Sequence, residues 1–289
     1  MLPELPYKIQ LRPRGVCLYP DISRISCKNQ TTITHETSSK YISKTITDKG
    51  RKNLLRCVDF LASMSESKRI FNPVSERWHD FQLAFITLTV PVFINQSEHK
   101  QFKKQVLSPF CAEAVRKGVL GLYVYVNELT KKGNIHFHFM SNRFAHYTKV
   151  RDLWNKYLVR GGYLENYRNE HGHYDANSTD IKCVVGIDKA SQYIAKYMSK
   201  GSDDRGQIEG RLWDCSSYLK VQKYYSAYLK SEHKDMIYAS MMEMKDQVWE
   251  HDNIYYIPAD QALQEQFVPN CYLEENRSHW LTIRDGMPK

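Results

Sequence analysis

The chain has 289 residues, with 41 Lys+Arg against 32 Asp+Glu, a formal net charge of +9 and a hydrophobic fraction of 42%; its mean hydropathy is −0.57. That length suits one large domain with appendages or two small ones. No run approaches the ~18 apolar residues that a membrane helix needs, and the opening MLPELPYKIQ lacks a basic stretch followed by an apolar one, so a soluble, cytoplasmic protein without a secretory leader is expected.

Charge is uneven along the chain. Residues 1–57 hold eleven basic and four acidic side chains, whereas residues 241–289 hold four basic and nine acidic. A basic front end suggests a polyanionic partner, usually nucleic acid, against the alternative of a merely solvated surface. The seven cysteines, at 17, 27, 57, 111, 183, 215 and 271, include no C-x-x-C pair. That argues against a disulfide framework or zinc finger and for free thiols in a reducing compartment.

Residues 1–45, with clusters such as NQTTITHETSSK, are expected to be irregular or marginally β. Residues 47–65 place Leu54, Val58, Leu61 and Met64 at helical spacing and predict an amphipathic helix. Residues 72–80, NPVSERWHD, predict a turn. FQLAFITLTV, at 81–90, is rich in β-branched and aromatic residues and stops at Pro91, as a strand should. Residues 97–118 predict a helix broken near Pro109 and stopped by Gly118. Residues 121–128 and 134–140 predict two strands of a hairpin, followed by a helix at 148–160, a strand near 179–185 and a helix at 188–200. The order implies an α+β fold with a mostly antiparallel sheet.

GNIHFHFM, at 133–140, separates two histidines by one bulky apolar residue. Strand alternation puts His136 and His138 on one face and Phe137 and Phe139 on the other. Alone, such a pair is more often structural than ligating. If residues 131–133 form a three-residue loop, however, Glu128 faces His136, and a His-His-Glu cluster results. His171-Gly172-His173 has the same spacing in the polar stretch NEHGHYD, and is expected to be loop.

SQYIAKYMSK, at 191–200, puts Tyr193 and Tyr197 four apart, with Lys196 and Lys200 at +3 from each. Alone this is a helix packing its apolar side while its lysines reach solvent. A phenol is a poor nucleophile near its free pKa of ~10 and needs a neighbouring cation to attack. A metal site, two phenols and two ammoniums together suit phosphodiester transesterification.

With these residues on the page, the sequence resembles the HUH-endonuclease replication initiators (Rep proteins) of small circular-DNA phages and plasmids that replicate by rolling circle. The resembling motifs are FITLTVP (85–91, with Thr87 and Thr89), His136-Phe137-His138, and YIAKYMSK (193–200), in the family's order with 54 residues between His138 and Tyr193. Further likenesses are NSTDIK (177–182) and GRLWDCS (210–216).

The resemblance covers roughly residues 45–220 and implies a five-stranded, ferredoxin- or RRM-like sheet flanked by helices. It divides the chain into a basic extension (1–75) with one helix, an endonuclease domain (76–235) and an acidic extension (236–289). It implies Mg²⁺ or Mn²⁺ on His136, His138 and Glu128, and attack by Tyr197 or Tyr193 with help from Lys196 and Lys200. Thr87 and Thr89 would contact phosphate or the metal shell, though threonines in a strand are usually packing.

The implied reaction nicks one strand of single-stranded or extruded origin DNA, leaving a 5′-phosphotyrosine and a free 3′-OH, and later rejoins strands in a bacterial cytoplasm. No G-x-x-x-x-G-K-[ST] is present, so unwinding would fall to a host helicase, beside other host replication proteins. Two rival classes stay open: a metal-dependent nuclease without a covalent intermediate, and a non-catalytic single-strand binder using the basic front and tyrosine stacking.

Overall fold

The computed structural model describes residues 6–21, 46–72, 76–130, 133–186, 188–190, 192, 194, 208–251 and 253–288. Chain contacts divide the protein into two units, Ser39–Val221 and a second built from Met1–Ser38 with Gln222–Lys289.

The chain begins with strands β1 (Tyr7–Arg12) and β2 (Gly15–Pro20), followed by helix α1 (Asp48–Met64), β3 (Lys68–Asn72), β4 (Arg77–Phe81) and β5 (Leu83–Thr89). Next come α2 (His99–Phe102), α3 (Ser108–Arg116), β6 (Tyr123–Leu129), β7 (Ile135–Ser141), α4 (Tyr147–Arg160), α5 (Glu165–His171) and β8 (Thr179–Val184). The last part holds β9 (Trp213–Cys215), α6 (Ser217–Val221), β10 (Tyr225–Tyr228), α7 (Ser231–Glu243), β11 (Trp249–His251), β12 (Ile254–Pro258), α8 (Gln261–Phe267) and α9 (Asn270–Asp285).

The central unit is an α+β fold around a five-stranded sheet in the order β8-β5-β7-β6-β9, antiparallel at every pairing. One face of the sheet is a dry aromatic core. Phe137 and Phe139 project into it from β7 and are fully buried, together with Phe102, Phe110 and Trp154. Phe102 stacks on Phe137 at 6.0 Å between ring centres, and Trp154 meets Phe110 edge-on at 5.1 Å. The Trp154 indole N–H also donates to the Thr89 carbonyl at 3.0 Å, tying α4 to the end of β5.

α1 forms where the spacing predicts it. The Thr47 hydroxyl caps its start by accepting from the Gly50 amide at 3.1 Å, and Leu54, Val58, Leu61 and Met64 are all buried. The segment around Pro109 is not simply broken. A π-helical stretch, Lys103–Leu107, precedes α3, and Pro109 sits in the first turn of that helix, where its missing N–H costs no internal bond.

Four expectations are corrected. Residues 77–80 are strand rather than turn, because β3 and β4 pair from Lys68↔Phe81 to Asn72↔Arg77. His171 closes helix α5, with Gly172 beyond it at φ 77, so that histidine pair is only partly loop. The N-terminal residues are not marginal, since β1 and β2 pair along their whole length. The two ends of the chain also join one unit, whose sheet has the order β10-β1-β2-β12-β11, and α1 belongs with the central unit. Hydrophobic spacing within short segments cannot reveal pairing over more than two hundred residues, such as Lys8↔Tyr228.

The edge strand β9 is held by buried polar groups of the central unit. Lys103 donates its ammonium to the carbonyls of Glu209 at 3.0 Å and Arg211 at 2.8 Å, and the Asn127 side chain donates to the Arg211 carbonyl at 3.2 Å. Burial pushes the Lys103 pKa down to about 8. Its unfolded counterpart stays protonated up to about 10.5, so the folded chain binds fewer protons between those values and this group's contribution to stability rises with pH there. Urea denaturation should show the stability of the wild type gaining on that of Lys103→Met as pH rises through about 8 toward 10.

Phe137→Ala should lower unfolding stability by about 3–5 kcal/mol, since it empties a fully enclosed site; a urea midpoint near the wild type's would contradict that packing.

Candidate metal centre

The second face of the central sheet carries the polar residues. Residues directly opposite in an antiparallel ladder share a face. Glu128 lies opposite His136, and His138 opposite Val126. β5 places Thr87 opposite His138 and Thr89 opposite His136, and β8 places Asp180 opposite Thr87. One row therefore runs Asp180, Thr87, His138, Val126, and the next runs Thr89, His136, Glu128. The hairpin that fixes this register closes as the sequence implies: the Thr130 amide donates to the Asn134 carbonyl at 2.8 Å, and the Gly133 amide to the Thr130 carbonyl at 2.9 Å.

Glu128, His136 and His138 each offer a ligand atom within 4.8 Å of the others. Nε2 of His138 lies 2.9 Å from Oε1 of Glu128. His138 is 3% exposed and its ring stacks on Phe85, 5.7 Å between centres and 10° from parallel. The donor set of two imidazoles and a carboxylate fits a divalent transition metal and accommodates magnesium less readily.

The two threonines complete the arrangement. Thr87 Oγ1 is 3.2 Å from His138 Nδ1, and Thr89 Oγ1 is 3.3 Å from His136 Nε2. When Thr87 accepts from Nδ1–H, the lone pair of His138 stays on Nε2, the atom that faces Glu128. The proton shared between Nε2 and the carboxylate is then what a cation would displace, and binding would release it.

The lead-in to β8 is also fixed from within. The Asn155 amide donates to the carbonyl of Ala176 at 2.9 Å and accepts from the Ser178 hydroxyl at 2.6 Å. The Thr89 amide donates to the Ser178 carbonyl at 2.8 Å. These bonds set the register that puts Asp180 beside Thr87. Asp180 is 60% exposed and pairs with Lys182 at 3.4 Å, so it borders the site from the open side.

The sequence thus anticipates Glu128, His136 and His138 as one cluster, and the structure brings them together. It places Thr87 and Thr89 against the histidine rings, a role as hydrogen-bond partners that the β-branched pattern alone did not define. Asp180 was not singled out, although NSTDIK contains it. Tyr193, Tyr197, Lys196 and Lys200 lie outside the described residues. Of that segment, residues 188–190, 192 and 194 are helical, with Ala190 and Ile194 fully buried.

A family model for replication-associated proteins of the ORF2 type matches residues 83–202. The match spans β5 through the helical residues after β8, and so includes the whole cluster. It supports a Rep-type replication protein that acts on DNA. No curated protein and no solved structure matches the chain. Among the described residues, no helix is long and apolar enough to cross a membrane.

Thr87→Val keeps the shape and removes the hydroxyl. Isothermal titration with Mn²⁺ should show affinity falling by about tenfold or more, as for other partners that orient a ligating histidine. An unchanged affinity would mean that Thr87 only packs.

Proposed function

We propose that this protein is a rolling-circle replication initiator that nicks and rejoins one strand of origin DNA by tyrosine transesterification. The observation that carries the proposal is the cluster itself. Glu128 stands opposite His136, and three ligand atoms converge within 4.8 Å on the polar face of the sheet, inside the segment similar to replication-associated proteins.

In this reading Glu128, His136 and His138 hold Mg²⁺ or Mn²⁺, whose charge would polarise a non-bridging oxygen of the scissile phosphate. The remaining steps fall to the chain. Thr87 and Thr89 keep the histidine rings in their ligating orientation, and Phe137 and Phe139 keep β7 from shifting.

Tyr197 or Tyr193 attacks phosphorus. The tyrosine-oxygen–phosphorus bond forms and the bond from phosphorus to the 3′ oxygen breaks. The phenol proton passes to that 3′ oxygen, with Lys196 and Lys200 favouring the phenolate and the leaving oxygen. The products are a 5′-phosphotyrosine and a free 3′-OH, which primes synthesis. The adduct is still a phosphodiester, so rejoining needs no external energy source. Two tyrosines in one chain allow one to cleave the regenerated origin while the other holds the first strand. The substrate is single-stranded or extruded origin DNA, and host helicase and replication proteins supply unwinding and synthesis in a bacterial cytoplasm.

The test is a denaturing gel of purified protein with single-stranded oligonucleotides tiled across the intergenic DNA of its own replicon, with Mn²⁺. A covalent protein–DNA band is expected. It should vanish in Tyr193→Phe/Tyr197→Phe and fall at least about a hundredfold in His136→Ala/His138→Ala, in line with loss of metal-assisted chemistry. Cleavage with no adduct would support a hydrolase instead, and an adduct that survives loss of both tyrosines would end the proposal.

A further inference from the structure

The unit formed by the chain ends carries a second polar sheet face that lies outside the matched segment. Its covered face is apolar. Ile9, Leu11, Val16, Leu18, Tyr255 and Ile257 are buried in a core with residues of α7, α8 and α9, among them Ile237, Phe267 and Leu273. Strand alternation turns the intervening residues the other way.

That outer face is aromatic and basic. Lys8 stands between Tyr228 and Tyr19, opposite one on each side. Cys17 stands opposite Tyr256, and Tyr256 opposite Trp249. Two rows of rings therefore cross the sheet, about 7 Å apart at ~3.4 Å per strand residue. Trp249 is 73% exposed and Tyr228 50%, so the two outermost rings stand open at opposite edges.

The cations lie among the rings. The Lys8 ammonium sits 4.5 Å from the centre of the Tyr228 ring. The Arg12 guanidinium sits 5.4 Å from that of Tyr256 and 5.3 Å from that of Tyr224. Gly15 gives Tyr256 room to lie flat, since a Cβ there would collide with its ring. Lys8 and the Tyr228 hydroxyl both hold Asp21, at 3.1 and 2.5 Å, at the end of β2. No outward-facing strand position described on this sheet carries a carboxylate. The acidic residues of the C-terminal segment, such as Glu232, Asp235, Glu274 and Asp285, are on the helices instead.

We propose that this outer face is a single-stranded DNA platform on which Tyr19, Tyr228, Tyr256 and Trp249 stack bases while Lys8 and Arg12 meet phosphates. Flat rings alternating with cations suit unstacked bases on a charged backbone. A duplex keeps its bases stacked and shows only its edges in the grooves, so the rings would have nothing to lie on. An apolar protein partner would call for a spread of aliphatic residues, whereas exposed aliphatic bulk on these strands is confined to Ile254 at the start of β12.

The test uses the full chain in the His136→Ala/His138→Ala background without metal, so that no cleavage occurs. Its failure is thus separable from failure of the nicking reaction. Fluorescence anisotropy with a labelled oligo-dT of about 20 nucleotides should show Tyr228→Ala/Trp249→Ala weakening binding at least about tenfold, with Trp249→Phe largely restoring it on the Trp249→Ala chain. Arg12→Gln should reduce the salt dependence of binding by about one phosphate contact.

Photocrosslinking of a halogenated-uracil oligonucleotide to the unsubstituted platform, followed by peptide mapping, needs no variant to fold. Crosslinks at Tyr19, Tyr228, Tyr256 or Trp249 are expected. Affinities unchanged within twofold, duplex bound as tightly as single strand, or crosslinks confined to residues 83–202 would each overturn the proposal.

Discussion

The candidate centre depends on one constraint, the two-residue alternation of β7. Every residue of that strand is committed to one face or the other, and a slip of a single position would exchange them. Phe137 and Phe139 cannot leave the aromatic core without exposing two large rings and emptying fully buried sites. Their burial therefore holds His136 and His138 on the polar face. A metal site has to keep its donors within tenths of an ångström of their working positions, and here the hydrophobic effect on one side of a strand supplies that fixity to the other side.

The flanking strands extend this fixity sideways. β6 brings Glu128 opposite His136, and β5 brings Thr87 and Thr89 opposite the two histidines. Each imidazole is then gripped by more than its own backbone: His138 by Thr87, Glu128 and the Phe85 ring, His136 by Thr89. A histidine free to rotate would lose entropy on ligating a cation. One already held between a hydroxyl and a carboxylate has lost most of that entropy during folding. The same bonds choose which ring nitrogen keeps its lone pair, which sets how strongly protons compete with a metal.

Much of this was legible in the sequence because it is local. The pattern His-Phe-His fixes faces, and the length of the LTKKGN turn fixes the register that brings in Glu128. α1 was legible from the spacing of Leu54, Val58, Leu61 and Met64. What was not legible depends on distant pairing. β9 has three residues and no periodicity of its own, and it becomes a strand because Val126 and Val124 offer it an edge and Lys103 and Asn127 hold its approach. β1 and β2 looked marginal because their partners, β10 and β12, lie at the far end of the chain. Asp180 was missed for the same reason, since only the pairing of β8 with β5 brings it to Thr87.

The distribution of charge follows from that distant pairing. Along the sequence, a basic front and an acidic end invite separate explanations, one for nucleic acid and one for a protein partner. Once β1 and β2 join β10, β11 and β12 in one sheet, the contrast becomes one between two sides of a single unit. Lys8 and Arg12 lie among rings on the outer face, and the carboxylates ride on helices that cover the inner one. Charges of opposite sign placed across a sheet neutralise each other poorly at short range, because more than ten ångströms and an apolar core separate them. The outer face can therefore keep a local positive potential even though the C-terminal segment is acidic overall. A strand of DNA brought to it would meet that local potential rather than the net charge of the unit.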